Sequence, residues 1–125
     1  MVIAFANNQT MTAEVSSPSV ISTDPVPLDD NDRASAVLNC HYIWKQGTAA
    51  SIAYKAQTSM DGTTWIDSTT LQDTITAAEG AITKSKEAKG VYGAFIRFVF
   101  TLTSSGSAGQ LAGVGFDLHV KLDHA

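Results

Sequence analysis

The sequence predicts an all-β chain folded as an antiparallel β-sandwich. Three observations predict it: apolar residues alternate with a period of two in several segments, turn signals separate those segments at regular intervals, and the composition is that of strands joined by small-residue turns. Among 125 residues the hydrophobic share is 44% and the charged share only 16%, with Ser, Thr, Ala and Gly filling the difference. Helices would draw on more Glu, Lys, Arg and Leu. A chain of this length is expected to form one domain, residues 1–125, burying roughly two-thirds of its unfolded surface around a single core.

The elements follow in chain order. Val2, Ile3, Ala4 and Phe5 form an apolar run, read as an N-terminal arm over residues 1–8 that adds a strand to a neighbour, or equally as the first strand of the sandwich. Residues 16–33 contain Pro18, Pro25, Pro27 and the run Asp29-Asp30-Asn31-Asp32, which predicts a loop with an edge strand near Val20-Ile21. In residues 36–44, Ala36, Leu38, Cys40, Tyr42 and Trp44 share one face, opposite Val37, Asn39, His41 and Ile43. After Gly47-Thr48, residues 51–59 place Ile52, Tyr54, Ala56 and Thr58 opposite Ala53, Lys55 and Gln57, so the two segments are expected to pair as a hairpin. Asp61-Gly62 then supplies the chemistry of a tight two-residue turn into Thr64-Trp65-Ile66.

Residues 76–90 are rich in Ala, Lys and Glu, limited by Gly80 and Gly90, and are expected to be a long connection with at most one short helix. Strand alternation resumes with Ile96, Phe98, Phe100 and Leu102 on one face; Phe95 and Val99 on the other suggest a central or covered strand. A Ser/Gly/Ala link at 104–109 reads as an exposed loop. The last strand is the clearest: Val114, Phe116, Leu118, Val120 and Leu122 oppose Gly115, Asp117, His119 and Lys121. A helix would scatter that apolar set around its circumference.

Charge and cysteine usage exclude several classes of partner. The formal net charge is -4, and the cations are dispersed except for Lys84, Lys86 and Lys89, which share their stretch with Glu87. Nucleic acid and anionic membranes call for clustered Lys and Arg, so neither is expected. Cys40 is the only cysteine, which leaves no intramolecular disulfide and no cysteine-based zinc site; it reads as a small buried hydrophobe. Met1 to Ala6 is too short and lacks the basic leader of a signal peptide, and no apolar stretch reaches spanning length, so the protein is expected to be made in the cytoplasm and to stay soluble.

The remaining clusters have plain structural explanations, and no catalytic, cofactor-binding or metal site is expected. Counting an EF-hand from Asp24 or Asp30 finds neither the glycine at position six nor the glutamate at position twelve, so the run Asp29 to Asp32 reads as a solvated loop rather than a calcium site. His41 and His119 lie on polar strand faces and His124 is next to the C-terminus; no Gly-x-Ser-x-Gly nucleophile elbow occurs. Only Glu14, Glu79 and Glu87 are glutamates, and none sits in a setting suited to glycoside chemistry. Asn8-Gln9-Thr10 matches a glycosylation acceptor, without the secretion signal that would give it meaning. The aromatic set Tyr42, Trp44, Tyr54 and Trp65 is the one that could stack on a sugar, but Tyr42, Trp44 and Tyr54 are in phase with core positions and read as core, which leaves Trp65, just past a turn, unassigned.

The strand ending in Ser59-Met60-Asp61-Gly62-Thr63-Thr64-Trp65, then a strand with the step Ile96-Arg97-Phe98, then the alternating closing strand, resembles small phage and virus-like particle proteins that decorate capsids or build tails. The resemblance covers about the C-terminal two-thirds. It implies a jelly-roll-like sandwich that binds a major capsid or other virion protein, often as a symmetric trimer, and stabilises the shell; Val2, Ile3 and Phe5 are the contact residues expected on that reading. The same pattern resembles the discoidin (factor 5/8 type C) jelly roll, which implies carbohydrate or lipid binding, with Trp65 as the ligand-binding residue. A single cysteine and the absence of a signal depart from that family's usual form.

Overall fold

The computed structural model describes residues 1–124. Nine strands run in chain order: β1 (Val2–Glu14), β2 (Ser19–Ser22), β3 (Val26–Pro27), β4 (Arg33–Lys45), β5 (Ala49–Ser59), β6 (Ile66–Thr76), β7 (Thr83–Lys89), β8 (Phe95–Ser105) and β9 (Leu111–Asp123). They form two antiparallel sheets, one ordered β1-β9-β4-β7 and the other β2-β8-β5-β6, with β3 continuing the β2 edge along β8. This order, in which nearly every connection crosses from one sheet to the other, is the double Greek key of a jelly roll.

The core lies between the sheets and follows the alternation of the strands. Ile96, Phe98, Phe100 and Leu102 of β8 face Val114, Phe116, Leu118 and Val120 of β9, all fully buried. Phe100 and Phe116 join the sheets directly, their ring centroids 4.7 Å apart. β9, which pairs with β1 on one side and β4 on the other, is the most enclosed strand of its sheet. Cys40 is buried and unbridged, and burial pushes its thiol pKa up.

Three local expectations change once the strands have partners. β4 and β5 do not form a hairpin: they belong to opposite sheets, and the Gly47-Thr48 turn carries the chain across the sandwich corner. Gly47 is required there because a Cβ would sit 2.1 Å from the Ser105 carbonyl oxygen. Residues 76–90 hold no helix. After a turn at 77–82 the chain extends into β7, which pairs with β4 from Arg33↔Lys89 to Asn39↔Thr83; the sheet's need for a partner overrides the helix propensity of Ala, Lys and Glu.

Asp61-Gly62 is not a two-residue turn either. β5 and β6 pair up to Thr58↔Ile66, leaving a longer loop in which only Gly62 takes positive φ, at 80°. Asp61 organises that loop through its side chain, accepting backbone N–H bonds from Thr63 (2.9 Å) and Thr64 (2.8 Å) while Ser59 Oγ donates to it at 3.0 Å. These bonds hold its carboxyl far below the usual carboxylate range.

Candidate functional site

The outer face of the β1-β9-β4-β7 sheet carries the most distinctive surface, and one bulge creates it. β4 pairs with β9 in strict register to Cys40↔Phe116, then resumes at Tyr42↔Gly115, so His41 is an extra residue. An extra residue reverses the phase of everything after it. Tyr42 and Trp44, expected in the core, therefore point outward and are 46% and 42% exposed, while Ile43 turns in against the core. Tyr54, on an unbulged part of β5, is buried as expected.

Two glycines of β9 receive the displaced rings. A Cβ on Gly115 would lie 2.4 Å from the Tyr42 ring, and one on Gly113 would lie 2.6 Å from the Trp44 indole. Each ring thus rests on bare backbone. Across β9, Thr10 pairs with Gly115 and Thr12 with Gly113; with Met11 and Ala13 buried, both threonines face out on the same surface.

A fixed polar group borders the rings. Asp117, two residues along β9 from Gly115, accepts the Asn8 backbone N–H on Oδ1 and lies 2.9 Å from His41 Nε2 through Oδ2. Asn8 has φ of 49° within an irregular stretch of β1, which aims its N–H at the carboxylate. The Asn8 bond, with the neighbouring His41, keeps the Asp117 carboxyl below its ordinary range.

The residues singled out from sequence are not gathered at one place. Ile3 and Phe5 lie on the inner side of β1, packed against the core, with Phe5 edge-on to Phe98 at 4.7 Å. Val2 points outward and is 67% exposed. Trp65 sits in the β5–β6 loop under the Arg97 guanidinium, 4.2 Å from the ring centroid. In the acidic loop, Asp29 adopts φ of 53° and the His124 ring reaches the Asp30 carbonyl and the Asp32 carboxylate. Among the described residues no three His, Cys, Asp or Glu side chains converge on a common point. The exposed Tyr42-Trp44 pair escaped the alternation pattern; the only sequence signal for it is that β9 carries glycine at 113 and 115, where an outward side chain would otherwise stand.

Sheet order and surface define a jelly-roll β-sandwich with an aromatic outer face. No family model matches the sequence, and a search of curated proteins finds no match. Solved structures do share the fold. VP2 in the subviral particle of infectious bursal disease virus aligns with 99% of this chain at 14% identity and a TM-score of 0.60, and VP2's chain is covered over 32% of its length. The Gx strain of the same virus gives a TM-score of 0.59 at 10% identity, with 100% of this chain and 32% of that one covered. The chain therefore spans about a third of those viral chains. A carbohydrate-binding module specific for non-crystalline cellulose, CBM28, aligns over 99% of this chain and 82% of its own at 8% identity, with a TM-score of 0.51.

Proposed function

We propose that this chain is a non-enzymatic structural protein of a virion, a capsid decoration or cement protein that stabilises the shell through protein–protein contacts. The supporting observation is the chemistry of the sheet edges. Natural sheets guard exposed edges with lysine, proline or other charge. Here β7 carries Lys84, Lys86 and Lys89, β6 carries Asp67 and Asp73, and the β2-β3 edge is broken by Pro25 and Pro27. β1 is the least charged of these edges: thirteen residues at the end of its sheet with Glu14 as their one charge, its pairing with β9 interrupted by register shifts between Ala4 and Gln9.

An edge with so little charge is a template for strand addition from a neighbouring chain where its register is regular, here over residues 2–4 and 9–14. Ile3 and Phe5 hold the edge from inside, and Val2 offers an apolar contact outside. Contacts of this kind favour the assembled state by mass action without any reaction. Likeness to VP2 of a subviral particle supports the setting, a virion; synthesis in the host cytoplasm and the trimer implied by the sequence resemblance belong to the same proposal. In the discoidin-type alternative sugar would bind at Trp65, on the ring face opposite the one that Arg97 covers; the likeness to a cellulose-specific carbohydrate-binding module supports the coarser reading of a carbohydrate-binding sandwich.

Sedimentation of the purified chain, alone and with capsid shells that lack it, tests the proposal. A defined oligomer or co-sedimentation with shells is expected, and Val2→Lys with Ala4→Lys, which place charge on the edge, should weaken it. A persistent monomer with no affinity for the lattice overturns it.

A further inference from the structure

We infer that Tyr42 and Trp44 form a carbohydrate-binding platform on the outer face of the β1-β9-β4-β7 sheet. The inference does not rest on strand addition at β1. Each ring lies against a glycine backbone yet remains nearly half exposed, so what solvent reaches is the side of the ring turned away from the sheet. The two residues are separated by one position on a strand, which spaces them about 7 Å apart, and the backbone beneath holds both rings without a ligand present.

Flat rings select for a flat partner. A protein hot spot is an aromatic inserted into a pocket, and a ring lying on its own sheet cannot be inserted. A nucleic acid would present bases to such rings, yet Asp117 stands beside them and the chain's net charge is -4, which repels a phosphate backbone. A pyranose meets both demands: its C–H face packs on the negative face of an aromatic ring, and its hydroxyls find hydrogen-bonding groups at the margin. Those groups are Asp117, locked in place by Asn8 and His41, at one end and Thr10 and Thr12 along the side.

The test uses cellohexaose, xylohexaose and β-1,4-galactan oligosaccharides, then a glycan array, against the full chain. Two tryptophans are present, so Trp65→Phe leaves Trp44 as the sole indole for fluorescence and for the indole N–H resonance. Saturable binding that shifts the Trp44 signals is expected from at least one glycan. Tyr42→Ala and Trp44→Ala should each weaken it by about tenfold or more. Gly113→Ala, which keeps both rings and lifts the indole off its floor, should also weaken binding. Val2→Lys should not. Should an alanine variant fail to fold, the Trp44 resonance of the Trp65→Phe chain still reads the contact. Absence of binding across the array at millimolar sugar, binding that leaves Trp44 unmoved, or a protein contact that occludes the rings in place of sugar would each overturn the inference.

Discussion

The Trp44 indole lies on the backbone of Gly113, so close that a methyl group at the glycine would be 2.6 Å from three indole atoms. No positive φ is needed at Gly113; its value is the missing side chain. Gly113→Ala is therefore expected to displace the ring rather than to strain the backbone. Because the indole is free to swing outward, the cost in stability should be modest, about 1 kcal/mol, read by denaturant unfolding together with a red shift of Trp44 fluorescence.

Phe116 carries a larger share of the fold. Its ring meets Phe100 across the sandwich, one from each sheet, and both are fully buried. Phe116→Ala should cost about 3–5 kcal/mol, a large part of the stability of a domain this size. A fall in the denaturation midpoint with unchanged m-value would confirm a pure packing loss. A drop below about 1 kcal/mol would mean that the sheets repack around the gap.

Tyr54 is buried against Phe98 and Phe100, and its hydroxyl has no hydrogen-bond partner among the described residues. Replacing an unpaired buried hydroxyl with hydrogen removes a desolvation cost, so Tyr54→Phe should be neutral or stabilising at pH 7, by up to about 1 kcal/mol. Thermal melts of the two proteins decide it.

The same residue has a pH signature. Burial, with Asp73 nearby, pushes the Tyr54 pKa up to about 12. In the unfolded chain the phenol ionises near about pH 10. Folding stability is thus unaffected by Tyr54 below that pH, and it falls as pH rises towards about 12, because the unfolded state releases a proton that the folded state retains. Tyr54→Phe should flatten this alkaline limb; equal slopes in the two proteins would refute the assignment.

Asp61 gives the opposite sign in acid. Its carboxylate accepts the Thr64 and Thr63 backbone N–H groups, and its pKa lies well below that of a free aspartate. The stability it contributes is present above about pH 4 and is lost as pH falls through the depressed pKa. Asp61→Ala should lower stability at neutral pH and remove part of the acid dependence, measured as unfolding midpoints from pH 7 downward. Asp61→Asn, which retains one acceptor, should fall between the two.

Local pattern carried much of the fold. In β8 and β9 the inward set read from the residues, Ile96 to Leu102 and Val114 to Leu122 at every second position, is buried throughout; Val99, Gly113 and Gly115 on the outer faces are covered as well. The edge strand at Val20-Ile21 is β2. These readings hold because alternation is a property of a few consecutive residues and the strand keeps one phase throughout.

Elsewhere the outcome depended on partners far away in the chain. Residues 83–89 are strand because β4 has an open side there, and β4 and β5 lie in different sheets because each finds its neighbours elsewhere: β4 beside β7 and β9, β5 beside β6 and β8. The Tyr42-Trp44 surface depended on both kinds of information. Alternation in residues 36–44 correctly signalled a strand, but a single unpaired residue at His41 reversed which side faced the core, and that mismatch exists only between β4 and β9. Strand character is a local property, legible from residue to residue; the face a side chain presents is set by pairing across the sheet, and a period of two cannot reveal where pairing slips by one.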